Sequence, residues 1–113
     1  AIKKELLNNH FSPRRIRVIP NGVDTNKFSP LFQKRKKELR EKLNLPYEKI
    51  AIFTGRLTEQ KGIEVLIRAW GKIINTFPQL HLFIVGEGEE RTILEQKAEE
   101  FDNIHFLGKR KNI

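Results

Sequence analysis

Cysteine is absent from all 113 residues. That excludes a disulfide scaffold, a thiolate metal site and a cysteine nucleophile, and it leaves the redox compartment unreadable. Methionine is absent too, and Ala1 stands first, which together read as a segment excised from a longer chain. No apolar run approaches the roughly 20 residues needed to cross a bilayer, and no signal-peptide core opens the sequence. Acidic residues are the minority, with 14 Asp and Glu against 22 Lys and Arg, giving a formal charge of +8. Such a charge is compatible with phosphates, nucleotides, membranes or nucleic acid and selects none of them. With 38% hydrophobic and 32% charged residues, the composition suits a small folded unit rather than a disordered one. A chain of this length makes one domain at most and buries roughly 65% of its unfolded surface, enough for one core.

The densest basic run is Lys34-Arg35-Lys36-Lys37, followed at once by Glu38, Arg40, Glu41 and Lys42. Leu39 and Leu43 recur at i, i+4, with Phe32 seven before Leu39, so the run reads as the wet face of an amphipathic helix. Interleaved signs and the lack of aromatic residues argue against a nucleic-acid partner. A second basic cluster, Lys109-Arg110-Lys111, has no neighbours that assign it a role.

Periodicity orders the rest. Ile2, Leu6 and Leu7 share a helical face, and Ser12-Pro13 reads as a turn. Ile16–Ile19 reads as a short strand ending at a tight Asn21-Gly22 turn. Ser29-Pro30 supplies an N-cap hydroxyl and a first-turn proline, predicting a helix over 30–43. Ile50–Thr54 is continuously apolar, the mark of a strand buried on both faces. Ile63, Leu66, Ile67, Trp70, Ile73, Ile74 and Phe77 form a helical stripe closed by Pro78. His81–Val85 is the next strand, Ile93, Leu94, Ala98 and Phe101 mark a helix, and Ile104–Leu107 is a last strand. Glycine follows every one of these three strands. Strand, helix, strand, helix, strand with short loops implies an α/β fold: a partial Rossmann-like parallel sheet with flanking helices, its ligand beyond the carboxyl ends of the strands. In the usual doubly wound order the three strands pair 3-2-1. Ile50–Thr54 is then left with an apolar edge that Ile16–Ile19 or a second copy of the chain must cover.

The loop Gly55-Arg56-Leu57-Thr58-Glu59-Gln60-Lys61-Gly62 sets two cations before a helix N-terminus. First-turn amides lack intrahelical partners, the dipole adds positive potential, Arg brings a donor fork and Lys a point charge. Gly62 removes a side chain that would block close approach. These are the ingredients of a phosphate site, although a surface loop with two solvated cations explains the spacing equally well. Gly86-Glu87-Gly88 lies at the next strand end but is no dinucleotide fingerprint, because Arg91 stands where the third glycine belongs. The first loop is no Walker loop either, lacking the G-K-[ST] ending. His10, His81 and His105 fall in three elements without metal-ligand spacing and read as incidental.

These residues carry a resemblance. Val18-Ile19-Pro20-Asn21-Gly22-Val23-Asp24 with Phe28-Ser29-Pro30, then Phe53-Thr54-Gly55-Arg56-Leu57 with Lys61-Gly62, Phe83-Ile84-Val85-Gly86-Glu87-Gly88 and Phe106-Leu107-Gly108, resemble four successive motifs of the family 4 retaining glycosyltransferases of the GT-B fold. The resemblance covers nearly the whole chain. It implies transfer of a sugar from a nucleotide diphosphate-sugar donor to an acceptor, with retained anomeric configuration and generally without an essential metal or other cofactor. Gly55, Arg56, Lys61 and Gly62 match the donor-phosphate loop; Gly86, Glu87 and Gly108 are weaker donor-proximal positions. It further implies that residues 1–20 are the end of an N-terminal domain with the entry to the hinge, and that 21–113 are the first half of the donor-binding domain. The resemblance places the family's Glu-x7-Glu motif further along the second domain than Ile113, so no catalytic residue is expected within these residues and the chain alone is expected to be inactive. A cytoplasmic location is expected, with the parent peripherally at a membrane surface; the acceptor is unassigned. The competing expectation is a non-catalytic phosphate-binding or protein-interaction module derived from half a Rossmann domain.

Overall fold

The computed structural model describes residues 2–111. The backbone divides into two compact units, Ala1–Gln33 and Lys34–Ile113. In the first unit, helix α1 (Ile2–Asn8) ends with the Asn9 side-chain amide donating to Glu5 O (2.9 Å), and a single 3-10 turn, Pro13–Arg15, follows the expected Ser12-Pro13 break. Two expectations fail here. Ile16–Ile19 forms no strand, and the tight turn falls not at Asn21-Gly22 but at Asp24, whose Oδ1 accepts the amides of Asn26 (3.0 Å) and Lys27 (3.2 Å). An Asx turn that satisfies two amides locally outweighs the permissiveness of Asn-Gly.

The second unit carries the sheet. Helix α2 (Gln33–Lys42) begins three residues later than the Ser29-Pro30 signal predicts. Leu31 and Phe32 stay exposed, so an added first turn would gain no packing, and helix stability comes mainly from a packed face. Leu39 is half-buried but Leu43 is exposed, which narrows the expected apolar stripe. Beyond α2, the Arg40 guanidinium gathers the carbonyls of Pro46 (2.9 Å), Tyr47 (3.1 Å) and Glu48 (2.8 Å), shaping the entry to the first strand.

Strands β1 (Ile50–Thr54), β2 (His81–Val85) and β3 (Ile104–Gly108) form a parallel sheet of order β1-β2-β3, linked by helices α3 (Ile63–Thr76) and α4 (Arg91–Ala98). Leu82, Ile84 and Ile104 pack on one face against Ile63, Ile67, Trp70, Leu94 and Ala98. The core therefore lies between the sheet and the apolar stripe read from residues 63–73. β2 is buried on both faces, as central strands are. β1 is not: Ala51 and Phe53 meet the core while Ile52 is 64% exposed, because β1 stands at an edge. Its apolar run comes from one buried face and one uncovered face. Among the described residues the sheet has three strands, and Ile16–Ile19 is not one of them.

Candidate functional site

The carboxyl ends of the three strands are stitched together by glycine. The Gly55 amide donates to Val85 O (3.0 Å) and the Gly86 amide to Gly108 O (2.9 Å), which carries the ladder past the ends of β1 and β2. A Cβ on Gly86 would lie 1.8 Å from Gly55 O, so the strand ends close this tightly only with glycine there. The two loops are then tied directly. The Leu57 amide donates to Glu87 O (2.9 Å), and Leu57 O accepts the Glu90 amide (3.1 Å). The Leu57 side chain is fully buried. Arg56 is thus held between two anchored residues, Gly55 and Leu57, at the mouth of the sheet.

From Leu57 the chain makes a 3-10 turn, Glu59–Lys61, and enters α3 at Gly62. Gly62 has φ 64°, yet a Cβ there would meet nothing within 4 Å. It supplies a left-handed conformation between two helical segments. The Val65 and Leu66 amides both turn back to Gly62 O (3.1 and 3.3 Å). Arg56 and Lys61 are exposed and, among the described residues, make no ion pair. The acidic group in the same helical turn, Glu64, is occupied by Lys97 Nζ (2.8 Å), whose hydrogen bond and charge pull the carboxyl below its usual range. Glu59 stands in the same loop, so the field there is set by Arg56, Lys61, Glu59 and the helix N-terminus together.

Glu87 does not stand alone. The Arg91 guanidinium engages its carboxylate and also donates to Glu95 Oε1 (2.8 Å). The Glu87 carboxylate Oε1 is 2.9 Å from where a Gly108 Cβ would be. The structure thus brings Gly55, Gly86, Glu87 and Gly108 together, with Arg56 beside them, while Lys61 and Gly62 lie at the far end of the same loop. Sequence reasoning passed over Arg91 except as a missing glycine. The i, i+4 spacing of Glu87, Arg91 and Glu95 was the available signal. It also missed Leu57 as the anchor of the loop, since one leucine between polar residues carries no periodicity.

A second constellation lies at the amino ends of the strands, a strand's length from those loops. A cleft of about 640 Å³ is lined by Glu41, Pro46, Tyr47, His81, Phe83 and His105 among others. His81 Nδ1 and His105 Nε2 are 3.0 Å apart, and the His105 ring stacks on Phe83 with centroids 4.7 Å apart. Burial, then the neighbouring His81, pushes His105 below its ordinary 6.5. The two histidines read as incidental are in hydrogen-bond contact, because parallel pairing of Phe83 with His105 sets them on one sheet face. Among the described residues no group of three or more His, Asp or Glu could hold a metal ion.

Known proteins share this arrangement of sequence. Residues 35–113 match the family described as glycosyl transferases group 1. The chain belongs to that family. This group 1 chain is 30% identical over 115 aligned positions to the glycosyltransferase MJ1059 of Methanocaldococcus jannaschii, covering 96% of the chain and 28% of that protein. It is 36% identical over 93 positions to the phosphatidyl-myo-inositol mannosyltransferase of Mycolicibacterium smegmatis, covering 80% of the chain and 22% of that protein. Among solved structures, Anabaena Alr3699/HepE superposes with a TM-score of 0.78 at 23% identity, covering 97% of the chain and 31% of that one. The glycosyltransferase WaaG does so with a TM-score of 0.75 at 22% identity, covering 97% and 31%. These likenesses show the fold, the α/β sheet of GT-B glycosyltransferases. The chain spans less than a third of the length of these relatives. Among the described residues no helix is long and apolar enough to cross a membrane.

Proposed function

We propose that the chain is the first half of the donor-binding domain of a retaining glycosyltransferase, and that it holds the diphosphate of a nucleotide diphosphate-sugar without completing transfer by itself. The observation that carries this reading is the pair Arg56 and Lys61, exposed and without ion-pair partners among the described residues, on a loop pinned to the strand ends and leading into α3. As the glycosidic bond breaks, the leaving diphosphate gains negative charge. Fixed cations and first-turn amides lower the energy of that charge more in the transition state than in the bound donor, which is what accelerates a reaction. The Glu87–Arg91 pair beside Gly108 forms the neighbouring wall. Alr3699/HepE was solved in complex with UDP and glucose, which supports a nucleotide-sugar donor for a chain of the same fold. On this reading the acceptor-binding and catalytic groups are not among the residues of this loop.

Titration with UDP and GDP, followed by amide NMR, tests the reading. A half-site with phosphate contacts and little burial of base or sugar should bind with a dissociation constant on the order of 0.1–1 mM. Amide shifts should centre on 55–66, and Arg56→Ala with Lys61→Ala should abolish them. Shifts centred on Lys34–Lys37 instead would overturn the assignment.

A further inference from the structure

We propose that His81 and His105 form a two-imidazole site for a divalent transition ion of tetragonal preference, Cu²⁺ or Ni²⁺, at the amino ends of β2 and β3. The site is separate from the donor loops and does not rest on the function proposed above.

The spacing is compatible with cis coordination by both rings. Two imidazole nitrogens each about 2.1 Å from one ion lie about 3.0 Å apart at a right angle and about 3.4 Å apart at the tetrahedral angle. His81 Nδ1 and His105 Nε2 are 3.0 Å apart. That separation is the length of the hydrogen bond between the rings, and it also brings both nitrogens within reach of one ion at adjacent corners of a square-planar or octahedral site, the geometry of Cu²⁺ and Ni²⁺. The ion would sit about 1.5 Å off the line joining the nitrogens, so the rings must give up their hydrogen bond and turn their lone pairs toward it.

The pair is held by the sheet rather than by loops. His81 opens β2 and His105 is the second residue of β3, and β2 is hydrogen-bonded on both sides. The Phe83 ring lies against His105, and the two imidazoles are themselves stacked with centroids 5.3 Å apart. With both backbone positions fixed in the sheet, only the ring torsions and one tautomer adjust when the ion arrives. The titratable groups facing the cleft are the two histidines, Glu41 and Tyr47. Tyr47 Oη donates to Glu41 Oε1 (3.2 Å), and its interaction with that carboxylate raises the phenol above its ordinary value. The carboxylate adds negative potential to the cleft, and solvent completes the coordination.

The protons balance. In the hydrogen-bonded pair one neutral imidazole donates and the other accepts, so one lone pair faces inward. Ion binding requires both. The donor ring passes its proton through solvent to its other nitrogen, and neither ring changes charge.

The experiment uses the full chain and Cu²⁺ itself. Electron paramagnetic resonance should show two nitrogen ligands, and Cu²⁺ should raise the thermal midpoint. His81→Gln and His105→Gln should each weaken binding on the order of 10–100-fold or more, at least the range that losing an outer-shell partner costs. Circular dichroism establishes that both variants remain folded. Affinity should fall on acidification as protons compete for the nitrogens. Arg56→Ala should leave Cu²⁺ binding unchanged. Absence of a two-nitrogen signal, or binding that survives the His81→Gln/His105→Gln double variant or is lost with His10→Gln, would overturn the proposal.

Discussion

The Trp70 indole N–H donates to Asn103 Oδ1 (3.0 Å), and Asn103 Nδ2 in turn donates to Leu80 O (2.9 Å). Trp70 is 1% exposed, so its N–H has no water to fall back on. One asparagine thus joins α3 to the entries of both β2 and β3. Asn103→Leu should destabilise the chain by about 1–3 kcal/mol, the usual cost of an orphaned buried donor, measured by urea denaturation. An unchanged midpoint would mean that the indole finds another acceptor.

Two glycines at the site should fail for different reasons. Gly62→Ala meets no atom but forces an alanine into φ 64°, which costs about 1–2 kcal/mol while leaving the fold intact. Gly86→Ala drives a methyl group into Gly55 O, so the strand ends must part. It should cost more than Gly62→Ala and should speed amide exchange at Gly55 and Leu57, which hydrogen-exchange NMR reads directly. Equal effects of the two would contradict the close approach.

Acid should loosen the amino end of the sheet. Burial and His81 hold His105 below its ordinary 6.5, so the folded chain binds fewer protons than the unfolded one as pH falls. This stability is complete above 6.5 and is lost as pH drops from there through the depressed folded value. His105→Gln should flatten that segment of a stability–pH curve. Glu64 acts at lower pH with the same sign. Lys97 depresses its carboxyl below 4.5, so the contribution present above that value is lost on further acidification.

The uncovered side of β1 should draw chains together. Among the described residues β1 pairs with β2 alone, leaving one row of backbone groups unpaired beside the exposed Ile52. Open apolar edges of this kind template further pairing. Sedimentation at micromolar concentration should show concentration-dependent association, and Ile52→Lys should reduce it. A monomer at all concentrations, with slowly exchanging β1 amides, would instead indicate protection of the edge within one chain.

Much of this protein is determined by its sequence. The apolar runs 50–54 and 81–85 coincide with strands and the stripe from Ile63 with α3, because each pattern is satisfied by one core. The order of the sheet followed as well, since short crossovers between parallel strands leave few topologies. Local signals with no packing behind them went the other way. Ser29-Pro30 starts no helix where Leu31 and Phe32 bury nothing, and Ile16–Ile19 forms no strand without partners. For the candidate site, the cations at 56 and 61 were legible by residue type, as was the run of strand-end glycines. Their arrangement was not. That Leu57 anchors the loop, that Arg91 takes hold of Glu87, and that His81 meets His105 are relations between residues distant in sequence or hidden among polar neighbours. Periodicity reports only which face of its own element a side chain occupies. Which other side chain it touches is set by register and crossover, and those exist only once the sheet has formed.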